Sequence, residues 1–65
     1  MNDKEQFINQ FGAIRSMAEG RRLLNAGIIK VDGTDISKIP IEEIEEGQVI
    51  SFGKHKQFEI RNDHL

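Results

Sequence analysis

Two adjacent arginines, Arg21 and Arg22, follow Ser16 and Glu19 in a short stretch that ends at Gly27. Guanidinium groups suit phosphate because their planar forks donate paired hydrogen bonds and stay charged. Placed early in a helix, they stand near its positive end, which also draws phosphate oxygens. Arg15 and Ser16 occupy that end, so guanidinium, hydroxyl and amide donors converge there. The plainer reading is a solvated helix face with ion pairs to Glu19. A second basic group, Lys54, His55 and Lys56, falls at a turn where it could touch another phosphate or simply keep the turn soluble. Lys30 points away from its apolar neighbours Ile29 and Val31, and the same two readings apply to it.

Other chemistry finds little support. His55 and His64 are too few and too far apart for an obvious metal or catalytic site. Glu42, Glu43, Glu45 and Glu46 lack the alternating oxygen ligands of a calcium loop and read as a solvated acidic face. There is no nucleophile with an apparent base, no glycine loop for phosphate, and too little chain to enclose a substrate pocket. No cofactor, metal or small-molecule substrate is expected, and by itself this is not an enzyme. Tyrosine and tryptophan are absent, and all four phenylalanines fit core positions, so base stacking has no platform. Any nucleic acid would be recognised by backbone shape and charge.

A chain of 65 residues without cysteine is expected to be one domain over 1–65, near the lower size limit for folding without disulfides or a structural metal. Nearly every large aliphatic residue and phenylalanine must then serve the core. No apolar run approaches the roughly 18 residues of a membrane span. M-N-D-K-E-Q is not the start of a signal peptide. A cytoplasmic protein, or a piece of one, is the expectation. The net charge of −2 weighs mildly against nucleic-acid binding. The charges are segregated, however, and a molecule basic at one end can still hold phosphate with a steep salt dependence.

These residues need an α+β frame to position them. Asp3 and Gln6 have capping-box spacing, Phe7, Ile8 and Phe11 follow at helical intervals, and Gly12 suits a left-handed stop with Ile14 folding back. The spacing predicts a first helix near 3–11. Ser16 and Glu19 form a cleaner capping box, and Gly27 closes a second helix near 16–26. Its inner face carries Gly20, Leu23, Leu24 and Gly27, with Gly20 placed for a close approach. Ile29 and Val31 then alternate as a strand, Asp32-Gly33 signals a type I′ hairpin, and Thr34 to Ile36 returns. Pro40 opens a helical bend with Ile41 and Ile44 inward, and Gly47 breaks it. Val49–Phe52 and Phe58–Ile60 close a second hairpin around Gly53-Lys54-His55. The two helices should pack on a small antiparallel sheet, with Phe7, Phe11, Leu23, Leu24, Ile29, Val31, Ile50, Phe52, Phe58 and Ile60 in the core.

The run S-M-A-E-G-R-R-L-L-N-A-G-I-I-K-V-D-G resembles the small RNA-binding domain named for ribosomal protein S-four, the alpha-L motif, whose pattern is roughly S-x-x-E-A-R-R-L-I-x-x-G-x-V-x-V-N-G. Ser16, Glu19, Arg21, Arg22, Leu23, Gly27, Val31 and Gly33 match it, and Leu24, Ile29 and Asp32 are close substitutes. Gly20 departs from the usual alanine. The resemblance spans about residues 7–60 and includes the closing run E-G-Q-V-I-S-F-G-K-H-K-Q-F-E-I. Within the family, R-S-x-x-E-x-R-R-L-L with G-K-H-K is most similar to the C-terminal tRNA-binding domain of bacterial-type tyrosyl-tRNA synthetases. G-Q-V-I-S-F is similar to small stand-alone members.

The resemblance implies binding of structured RNA, tRNA or rRNA, as part of translation, by a domain that is monomeric in isolation. Arg15, Ser16, Arg21, Arg22, Lys30, Lys54, His55 and Lys56 would carry it, with Arg21 at the most characteristic basic position. Arg15, Arg21, Arg22 and the 53–56 turn should share one side, away from Glu42–Glu46. The alternative is a protein-interaction adaptor on the same fold, favoured by the acidic balance and the lack of stacking aromatics.

Overall fold

The computed structural model describes residues 3–65; Met1 and Asn2, part of the expected 1–65 domain, lie outside them. Helix α1 runs Asp3–Asn9 and α2 runs Met17–Asn25, ahead of strands β1 (Ile29–Val31), β2 (Thr34–Asp35), β3 (Val49–Phe52) and β4 (Gln57–Glu59). The arrangement is α+β, with one antiparallel sheet ordered β2-β1-β3-β4. Helix α1 ends two residues before the expected Phe11, and Gln10–Gly12 form a turn instead. Asp3 lies inside the first turn of α1. Gly12 does take the left-handed conformation, with φ 69°.

Helix α2 is delimited by its own sequence. Ser16 caps it, its hydroxyl oxygen accepting from the Glu19 amide at 3.2 Å. At the other end, Gly27 has φ 71°, its amide donates to the Leu24 carbonyl, and the Ile28 amide donates to that of Leu23. These two bonds make a Schellman motif, which satisfies carbonyls the helix end would otherwise leave open. The chain can then turn sharply from α2 into β1.

Asp32 and Gly33, with φ 49° and 84°, give both central residues the left-handed conformation that a type I′ turn requires. Asp32 also accepts from the Val49 amide at 3.0 Å, while its own amide donates to the Val49 carbonyl at 2.8 Å. The turn is thereby tied to the start of β3. β2 stops at Asp35, one residue short of expectation, because the Asp35 carboxylate caps a 3-10 turn at Ile36–Lys38. Pro40 precedes a second such turn at Ile41–Glu43. β4 lies one residue earlier than expected at both ends, Gln57–Glu59, leaving Ile60 just beyond it, and a third 3-10 turn follows at Asn62–His64.

Ile29 and Val31 are buried while Lys30 is exposed, as strand alternation demands. The helices cover the buried face. Phe7, Ile8, Ala13, Ile29, Val31, Ile36, Ile44, Ile50, Phe52 and Ile60 form one core, with Phe11, Leu23, Leu24 and Phe58 packed against it and partly exposed. Ile8, Ile29, Ile36, Ile50 and Ile60 have no exposed surface. Truncating any one of them to alanine costs about 2–5 kcal/mol, a large share of what so small a domain possesses.

Candidate nucleic-acid interface

The eight residues singled out in the sequence fall into three groups. The first surrounds the entry to α2. Arg15 is exposed, and its backbone amide donates to Glu19 Oε1 at 2.8 Å. The Glu19 side chain therefore reaches back as expected, but to Arg15 and not to Ser16, the usual capping-box partner. Glu19's own amide is taken by Ser16 Oγ, and the Gly20 amide donates to the Ser16 carbonyl. Among the described residues, the amides of Met17 and Ala18 are left as the open donors of this end.

The hairpin turn between β3 and β4 reaches the same place. Lys56 Nζ donates to the Ala13 carbonyl at 3.2 Å, two residues before Arg15. Lys54 and His55, exposed in the same turn, are carried with it. This contact spans 43 residues of chain and joins two basic segments that are remote in sequence. Arg22 lies further along α2, exposed. Among the described residues, the side chains of Arg15, Arg22, Lys54 and His55 make no hydrogen bond or ion pair, so their polar groups are open to a ligand.

Arg21 differs. Its side chain is 64% exposed, yet its Nε donates to Glu5 Oε1 at 2.7 Å, and the Glu5 side chain is 9% exposed. The arginine is thus moored to α1 by a nearly buried carboxylate. Spacing within α2 offers no hint of this partner, because Glu5 is 16 residues away. The signal was in α1, where Glu5 stands one turn before Ile8 on the buried side. A carboxylate there needs a cation or donors to offset lost hydration.

Lys30 stands apart. Its register partners are Asp35 on β2 and Ser51 on β3, and its side chain lies on the sheet face opposite the helices. That outer face also carries Val49, 42% exposed, and Ile28 beside it in sequence to β1, 39% exposed.

The acidic segment lies elsewhere. Glu42, Glu43, Glu45 and Glu46 are exposed around buried Ile44 and lead into the start of β3, whereas the basic turn leaves its end. At about 3.3 Å per residue, the extended run from Gln48 to Gly53 separates the two by roughly 16 Å. The four phenylalanines cluster with one another, and His64 packs over Phe11 with ring centroids 4.3 Å apart. Among the described residues no group of three or more His, Asp or Glu side chains could hold a metal ion, and no helix is long and apolar enough to cross a membrane.

The chain is thus α+β, with exposed basic residues at the entry to α2 and its glutamate cluster at the start of β3. Comparison with curated proteins relates it to a particular family over part of its length. The chain is 42% identical over 48 residues to the tyrosine–tRNA ligase of Moorella thermoacetica, a match covering 72% of this chain and 12% of that protein. The chain therefore spans a small part of the length of that relative. No family model matches, and no solved structure matches significantly.

Proposed function

We propose that the chain is a non-catalytic module of the S-four-like, alpha-L kind that binds structured RNA, in the first instance tRNA. The observation that carries this reading is the Lys56–Ala13 contact, which joins the basic hairpin turn to the entry of α2. Arg15, Ser16, Lys54, His55 and Lys56 then border one region, with Arg21 and Arg22 further along the helix. Segregation of the glutamates to the far end of β3 supports the same reading, as does kinship with a tRNA ligase. The module holds phosphates through charge-assisted hydrogen bonds and reads backbone shape. Lys30, on the outer sheet face, contributes long-range attraction at most. A cytoplasmic location and a role in translation belong to this reading.

The test is binding of unfractionated tRNA across a salt series. Arg21→Ala removes a contact worth about 1.5–3 kcal/mol, so affinity falls roughly tenfold or more and the salt slope becomes shallower. Because the alanine also deprives Glu5 of its guanidinium, Arg21→Lys serves as a second variant that keeps the charge but loses the fork. It is expected to bind more weakly than the wild type and more tightly than Arg21→Ala. Glu43→Ala leaves affinity unchanged or slightly raised. An affinity indifferent to Arg21→Ala, in protein with an intact circular dichroism spectrum, would sink the site. A protein partner on the outer face around Ile28 and Val49 would then be the better account.

A further inference from the structure

We infer that Glu5 is a positioning residue that aims the Arg21 guanidinium at phosphate; this rests on the RNA-binding reading and adds a residue outside the motif to it. The pair has an unusual division of exposure. Glu5 is 7% exposed as a whole residue and sits in α1 beside the buried Phe7 and Ile8, so its carboxylate is held by packing. Arg21 projects outward with its side chain 64% exposed. The 2.7 Å bond engages Nε, the inner corner of the guanidinium. A guanidinium has five N–H donors in a fixed plane, so fixing Nε on a rigid acceptor leaves the four donors of the two terminal nitrogens for a ligand. Two of these form the end-on fork that matches two oxygens of one phosphate. An unmoored arginine would lose more side-chain freedom on making the same contact.

Two consequences of Glu5 oppose each other, which makes the role measurable. Its negative charge beside the site repels phosphate, whereas its acceptor oxygen orients the donor that binds phosphate. If charge dominated, every substitution that removes the carboxylate would tighten binding. Positioning gives a different order. Glu5→Gln keeps the length and an acceptor oxygen while removing the charge, so it retains or improves affinity for unfractionated tRNA. Glu5→Asp keeps the charge but withdraws the carboxylate by one methylene from Nε, so it weakens binding about threefold to fivefold. Glu5→Ala loses the acceptor and weakens it similarly, although the protein has become more positive.

The experiment is a double-mutant cycle in tRNA affinity, with each variant's fold checked by thermal denaturation. In an Arg21→Ala background, Glu5→Asp and Glu5→Ala should bring no further loss. Tighter or unchanged binding by Glu5→Asp, or an equal loss with and without Arg21, overturns the positioning role. If Arg21→Ala binds weakly while Glu5→Asp binds as the wild type, the RNA site stands and this inference falls. If Arg21→Ala has no effect, both fall. Should Glu5→Ala fail to fold, the Glu5→Gln and Glu5→Asp pair decides the question, since one keeps the reach and the other the charge.

Discussion

At the scale of single residues, carboxylates do much of the local organising in this chain. Glu5 moors Arg21, Glu19 holds the Arg15 amide, Asp32 holds Val49, and Asp35 caps the turn at Ile36–Lys38. Asp35 has a measurable consequence for acid stability. The Ser37 amide donates to it at 2.9 Å, and the Ser37 hydroxyl does so at the same distance. These bonds favour the ionised form and hold its carboxyl below the ordinary value, the amide contributing most. A carboxyl depressed in the folded state adds stability above its unfolded value, near 3.9, and loses it as pH falls through the lower folded value. Asp35→Asn should therefore destabilise the protein at pH 6, with the gap to the wild type narrowing below about pH 4. Urea midpoints at pH 6 and pH 3 check this. An equal gap at both would remove Asp35 from the acid response.

At the scale of elements, the glycine inside α2 shows how packing decides local composition. A Cβ built on Gly20 would lie 2.7 Å from Ile14 Cδ1 and 3.2 Å from Ile8 Cδ1. Ile8 is fully buried, so the partly exposed Ile14 is the side chain that must yield. Alanine gains about 1 kcal/mol of helix propensity over glycine, and overpacking costs about 1–3 kcal/mol. In the wild-type background Gly20→Ala should be neutral to destabilising. With Ile14→Val, which removes the Cδ1, the same change should raise stability by about 0.5–1 kcal/mol. Thermal denaturation of the four proteins tests this, and a destabilising Gly20→Ala in both backgrounds would disprove it.

The helices, the hairpins and the inward faces were legible because capping residues, left-handed glycines and alternation act locally. Ser16, Gly27, Asp32-Gly33 and Gly47 each mark a boundary by their own chemistry. Glu5–Arg21, Lys56–Ala13 and His64–Phe11 were not legible, since each joins segments that only the packed core brings together. The end of β2 was missed for a different reason. Ile36 continues the alternation of a strand, but the Asp35 side chain caps the following turn and ends β2 before it.

At the scale of the whole molecule, the sheet order β2-β1-β3-β4 puts β1 and β3 at its centre, one from each half of the chain. Ile29, Val31, Ile50 and Phe52 meet across that seam, with Ile29 opposite Phe52 and Val31 opposite Ile50. Neither half can close the core without the other, so partial opening has little to stop at once the seam parts. Amide hydrogen exchange should therefore divide into two populations. Amides hydrogen-bonded between β1 and β3 should exchange through global unfolding, with protection that tracks the full unfolding free energy under added urea. Amides in the 53–56 turn should exchange by small local fluctuations that urea hardly changes. If the basic turn is drawn against a polyanion, added tRNA should slow exchange there and leave the relative ranking along the central seam as it was.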